Sequence, residues 1–236
     1  MRRVLSLSLL ALIGLAALAA AVLPGPQHAL WPRWAGLHNV APGIWTDDQT
    51  RQADLHRIVE TAAQRAEAFH GAFRHPRIIF CHHQACADRF GLYPAGLAYG
   101  RHLVLLGPEG VNADVLGHEF SHIALHQNYA ISDLWNPRFP HWFDEGLAVH
   151  LSPDSRYRTP GTLADAQWVL KAKTLYDWKS LVTQENWREA YGSAGFLASH
   201  IETTYGQDAL QALVSDVRAG ADFDQAMARQ NISVAP

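Results

Sequence analysis

Two histidines four residues apart, with a glutamate directly after the first, stand in the run His118-Glu119-Phe120-Ser121-His122. On a helix, four residues advance the chain by about 6 Å and a little over one turn, so both imidazoles face the same side. From there they reach one metal ion at roughly 2.0 to 2.1 Å each, the bond length of zinc to a histidine nitrogen. Glu119 then stands beside them, placed to take a proton from a water that the metal activates. Random placement of these residue types at their abundance in the 236-residue chain gives roughly 0.03 copies of the pattern, so coincidence is a poor account of it.

A catalytic zinc site needs a third protein ligand and an open position for water. A candidate is Glu145, 23 residues after His122, in the run Pro140-His141-Trp142-Phe143-Asp144-Glu145-Gly146-Leu147-Ala148. That spacing leaves room for a loop and a returning helix. His141 and Asp144 lie within a turn of Glu145 and stay open as alternatives. His126 continues the row of His118 and His122, but it sits one turn farther along the same helix, too far from a metal that the first two hold. A third histidine ten residues after the first, the metzincin arrangement, is excluded because Asn128 stands there.

The two motifs together, H-E-x-x-H and then W-x-x-E-G, resemble the gluzincin metallopeptidases, the thermolysin and aminopeptidase-N type of zinc enzyme. The resemblance spans residues 100–206. It implies a zincin-like fold, a Zn2+ cofactor held by His118, His122 and Glu145, and cleavage of a peptide or protein substrate with Glu119 as general base. The segment Ala190-Tyr191-Gly192-Ser193-Ala194-Gly195 resembles the tyrosine-bearing helix start of aminopeptidase-N-like enzymes, which implies that Tyr191 donates to the oxyanion. Read from residue type alone, Tyr191 is equally a core tyrosine at a helix start. In zincins an edge strand before the zinc helix pairs with extended substrate, which implies that residues 102–106 align a peptide by backbone hydrogen bonds. Two features depart from the family. Val149 stands where thermolysin-like proteins carry a carboxylate that orients a zinc histidine, leaving that task to another residue such as Asp144. The G-x-M-E-N segment by which aminopeptidases hold a substrate's amino terminus is absent, so exopeptidase action of that type is disfavoured. Two rival functions remain: a silent zincin-fold binding or assembly protein of the cell envelope, and a zinc hydrolase of another amide such as a cell-wall peptide link.

These residues need elements to hold them. Apolar spacing predicts helices over residues 48–72, 84–90, 111–127, 141–151, 162–175, 188–205, 208–219 and 222–230, with strands over 77–81 and 101–106. Strands precede the central helix and helices follow it, an α+β arrangement. The resemblance sharpens this to a small N-terminal sheet with helices, a central zinc-binding helix and a helical C-terminal lobe. A chain 48% apolar and 17% charged folds. A net charge of −3 leaves no basic excess for nucleic acid.

Arg2 and Arg3 precede residues 4–23, a run without charge, and the next formal charge is Arg33. This reads as an export signal. Ala17-Leu18-Ala19 and Ala19-Ala20-Ala21 both suit a signal peptidase. Retained, the run rises about 30 Å as a helix, enough to cross a bilayer as a single anchor with the arginines inside. Both endings put the domain outside the cytoplasm, periplasmic or extracellular, with membrane contact only through residues 4–23 if the leader stays. The division expected is leader or anchor over 1–23, linker over 24–43, and one metallopeptidase domain over 44–236. In an oxidising compartment Cys81 and Cys86 are expected to form a disulfide, the rival being a metal site with His82 and His83. The tryptophans between Trp31 and Trp45 either pack on the domain, the reading preferred, or meet a membrane interface.

Overall fold

Five short strands make one mixed sheet in a computed structural model that describes residues 23–234 except 135 and 153. They are β1 (His38–Ala41), β2 (Ile44–Thr46), β3 (Arg77–Phe80), β4 (Gly96–Tyr99) and β5 (Leu103–Leu106), in the order β1-β2-β3-β5-β4. The central pairs, β2 with β3 and β3 with β5, are parallel, and the edges β1 and β4 are antiparallel to their neighbours. Alternating side chains cover both faces. Ile78, Phe80, Val104 and Leu106 pack on helices α1 (Gln52–His70) and α3 (Ala113–Leu125) through Leu55, Leu116 and Phe120. Ile79 and Leu105 face the other way, onto Ala87 and Phe90 of α2 (Gln84–Phe90) and onto Ala29 and Leu37.

Beyond α3 the chain is helical: α4 (His141–Leu151), α5 (Leu163–Ala166), α6 (Leu175–Leu181), α7 (Trp187–Tyr205), α8 (Gln207–Arg218) and α9 (Phe223–Arg229). Their core joins Trp142, Phe143, Leu147, Leu197, Ile201, Leu213 and Phe223. Helices α4 and α7 lie so close that a Cβ on Gly146 would come 2.4 Å from the Ala194 carbonyl, and one on Gly195 would come 2.4 Å from Val149 Cγ1. The α+β class expected from the order of elements is the one observed.

Four local expectations are corrected. Strand β5 lies between β3 and β4, so residues 102–106 cannot offer an edge to a peptide; the edge is β4. Gly96-Leu97-Ala98-Tyr99 lacks the β-branched run that marks a strand, and pairing with β5 makes it one. Residues 24–43, expected as a linker, carry a 3-10 turn (Pro26–Leu30) and β1, with Ala29, Ala35 and Leu37 buried. The single helix expected over 162–175 is α5, a 3-10 segment (Gln167–Lys171) and a break before α6, which starts with a capping box of Thr174 and Asp177. That break serves α4, whose start has no side-chain cap: the Lys173 and Ala172 carbonyls accept from the His141 and Trp142 N–H groups at 3.1 and 3.0 Å. Finally, of the three tryptophans between Trp31 and Trp45, Trp45 packs against the core of Ile79 and Leu105 as expected, whereas Trp31 and Trp34 are exposed.

Cys81 and Cys86 are joined by a disulfide, which removes their sulfurs from any metal site. The leader or anchor expected over 1–23 lies, but for Leu23, outside the described residues, and among those described no helix is long and apolar enough to cross a membrane.

Candidate metal centre

Asn112 starts α3 by accepting from the Val115 N–H through its side chain at 2.9 Å. The helix is buried on almost every side, which places His118, Glu119 and His122 inside the molecule rather than on a wet face. Helix α4 crosses α3 and delivers Glu145, also buried. The Nε2 atoms of His118 and His122 are 3.1 Å apart, and Glu145 Oε2 lies 3.3 Å from the first and 3.5 Å from the second. Glu145 Oε2 is fully buried and makes no hydrogen bond. A tetrahedral ion with bonds of 2.0 to 2.1 Å separates neighbouring ligand atoms by roughly 3.3 Å. Two imidazole nitrogens and a carboxylate oxygen at that mutual spacing form a buried group that could hold a metal ion.

The alternatives for the third ligand find other employment. Asp144 accepts from His122 Nδ1 at 2.7 Å and from His126 Nε2 at 2.8 Å. It thereby puts the His122 proton on Nδ1 and leaves Nε2 free to ligate. His126, set aside as a ligand on spacing, is the second partner of this carboxylate. His141 Nε2 lies 3.3 Å from Glu145 Oε1, the oxygen that faces away from the histidine pair in its contacts. Burial opposes ionisation of Asp144, yet the charges and hydrogen bonds of His126 and His122 hold its carboxyl well below the usual range. Burial likewise opposes a charged Glu145, and His122, His118 and His141 outweigh it, keeping Glu145 a carboxylate.

Glu119 differs. Burial pushes its carboxyl up, with Glu145 adding to the rise and His118 and His122 opposing it. A carboxylate with a raised proton affinity beside a metal-ligand group suits a base that takes a proton and returns it. The edge strand β4 runs against it: the Ala98 N–H donates to Glu119, and a Cβ on Gly96 would come 2.7 Å from Glu119 Oε1. Sequence reading missed Gly96, because nothing in its neighbours signals that a strand passes a helix at this distance.

Tyr191, on α7, has its ring centroid 6.2 Å from that of His118. Burial, with the nearby charge of Glu145, keeps its hydroxyl protonated, and Trp178 donates a hydrogen bond to it. Tyr157 stacks on Tyr191 at 5.3 Å, and burial together with Glu145 raises its hydroxyl too. Tyr157 is a second neutral phenol at the site that no motif announced. His118 Nδ1, by contrast, is buried without a hydrogen-bond partner.

No family model, no curated protein and no solved structure matches this chain. The arrangement above therefore carries any functional reading by itself.

Proposed function

We propose that this chain is an exported or membrane-anchored zinc metallopeptidase of the gluzincin type, with a zincin-like fold. The observation that carries the reading is the placement of Glu119: a buried carboxylate of raised proton affinity, one residue from a metal-ligand histidine and pressed against the edge of a sheet. A protein that only binds has no physical need for a base there.

His118, His122 and Glu145 would hold the ion. Bound zinc supplies a Lewis acid that polarises a carbonyl and makes water acidic enough to lose a proton near neutral pH. Glu119 takes that proton and passes it to the leaving amine, which its raised affinity favours. Tyr191, kept neutral, donates to the oxygen on which charge develops. The unpaired edge of β4 offers backbone donors and acceptors to an extended peptide beside Glu119. Asp144 orients His122, and His141 stands 3.3 Å from the Glu145 oxygen turned away from the histidine pair. Export is supported by the charged start and apolar run of residues 1–23 and by the Cys81–Cys86 disulfide, a bond that persists in oxidising compartments.

The test combines metal content and cleavage in the full chain. About one zinc per chain, lost in His122→Ala and Glu145→Ala, together with hydrolysis of a peptide library, is expected. Glu119→Gln should keep the zinc and lose at least about 10³-fold in hydrolysis. Zinc bound without cleavage of any peptide would turn the reading to a silent binding protein; cleavage of cell-wall peptide links alone would turn it to a hydrolase of that amide.

A further inference from the structure

Large apolar side chains point outward where the chain enters the domain. Among the described residues, Leu23 is 58%, Leu30 63%, Trp31 57% and Trp34 87% exposed, while Ala29, Ala35 and Leu37 between and after them are buried. The usual order is inverted: small residues seal the core and two tryptophans face out, stacked with ring centroids 6.1 Å apart. This is a held surface rather than a loose arm. Arg77 donates to the Ala29 carbonyl, Arg89 donates to the Ala35 carbonyl, and the Gly25 N–H donates to the Arg89 carbonyl at 3.0 Å. The Leu37 N–H closes the segment on the Pro32 carbonyl at 3.0 Å.

Two features say what covers it. Residues 4–23 carry no charge, and this run ends at Leu23, the first exposed residue of the surface. Through residue 46 the chain contains no aspartate or glutamate, and Arg33 stands exposed between the two tryptophans. Tryptophan beside a cation, with no carboxylate near in sequence, is the chemistry of the headgroup and upper acyl region of a bilayer with anionic lipid. Tyr93, 95% exposed, lies two residues beyond Gly91, the residue against which Pro24 packs.

We infer that the face formed by Leu30, Trp31, Arg33 and Trp34 lies in the interface of the membrane that holds residues 4–23, so that the domain rests on the bilayer in a fixed orientation instead of swinging from a tether. The inference is independent of the peptidase chemistry and rests on the proposed reading in which residues 4–23 are retained as a membrane anchor.

The experiment uses the full chain, returned from detergent into vesicles of phosphatidylethanolamine and phosphatidylglycerol whose acyl chains carry bromine near the glycerol. All eight tryptophans lie from Trp31 onward, so residues 1–30 contribute no indole signal and quenching by the bromolipid reports the domain alone. Wild type should be quenched, and Trp31→Phe with Trp34→Phe should reduce that quenching about threefold or more. Both side chains are exposed, and an unchanged thermal transition will show that the double variant still folds. Trp34→Ser alone, at the more exposed position, should lose part of the effect. Equal quenching in wild type and double variant would overturn the inference. So would vesicle-bound wild type that is not quenched, vesicles that fail to retain the chain, or cross-linking of Trp31 to Trp31 between two copies without quenching.

Discussion

Asp144 binds two histidines at once, and the consequence is a fixed tautomer at His122, one of the three residues that could hold a metal ion. His122 Nδ1 and His126 Nε2 each donate to one of its oxygens, so loss of the negative charge weakens both contacts together. Asp144→Asn should therefore weaken zinc binding about 10- to 100-fold in a chelator competition, with secondary structure retained. Unchanged affinity would mean that the carboxylate serves packing alone. A second buried histidine sets a pH dependence. His70 donates to Ser121 Oγ at 3.1 Å and accepts from Arg218 at 3.0 Å, and burial followed by the Arg218 charge pushes its pKa down to about 3. The unfolded chain, with an ordinary value near 6.5, binds more protons in between. His70 thus costs no stability above about pH 6.5, and stability is lost as pH falls from there toward about 3. His70→Gln should flatten the stability-versus-pH profile across this window, by at most about 5 kcal/mol at its acid end; parallel profiles for the two proteins would refute it. At this scale the His118 and His122 pair was legible, because a spacing of four on a helix gives two imidazoles a common face, whereas Glu145, on another helix, came from the resemblance of its motif. Asp144 was legible only as a neighbour of Glu145, and Tyr157 not at all, since their contacts arise where separate helices meet.

Strand β4 and helix α3 approach so closely that one glycine separates them. An alanine methyl at position 96 would meet Glu119 Oε1 and Val115 Cγ1, each at 2.7 Å, and the carboxylate is the more mobile of the two. Gly96→Ala should accordingly lower hydrolysis about 10- to 100-fold while zinc content stays at the wild-type level. Equal activity would show that Glu119 has room to move without losing its role. Element prediction succeeded where periodicity and caps agree: α1, α2, α3, α4 and α7 follow the apolar spacing, and α2 and α7 end at Gly91 and Gly206, although α1, expected to run through Ala72, already stops at Gly71. It failed where tertiary pairing creates structure. β1 and β4 are edge strands of ordinary composition, and the break after Lys171 exists because α4 needs carbonyls for its first N–H groups. The expectation that residues 102–106 form the edge failed for the same cause, since sheet order depends on partners that a single strand does not name.

The whole molecule has a seam, and the candidate metal centre sits on it. His118 and His122 belong to α3, which packs under the sheet with Leu116, Phe120 and Ile123, whereas Glu145 belongs to α4, whose Trp142, Phe143 and Leu147 lie in the helical core. A metal bound by all three would tie the two cores together and would supply a positive charge facing the buried Glu145 and Glu119. Because the unfolded chain has no such triad, binding stabilises the native state by RT ln(1 + [L]/Kd), about 4 kcal/mol at free zinc 1,000 times Kd. For a chain of this length each kcal/mol moves the melting temperature by about 2–4 °C, so a strong chelator should lower it by about 10 °C. Readded zinc should restore it, and His122→Ala should melt at the lowered temperature with or without chelator. A wild-type protein that melts identically with and without chelator would mean that the seam closes without an ion, and the buried triad would then have to be held by protonation of its own histidines, an arrangement in which Glu119 could not act as proposed.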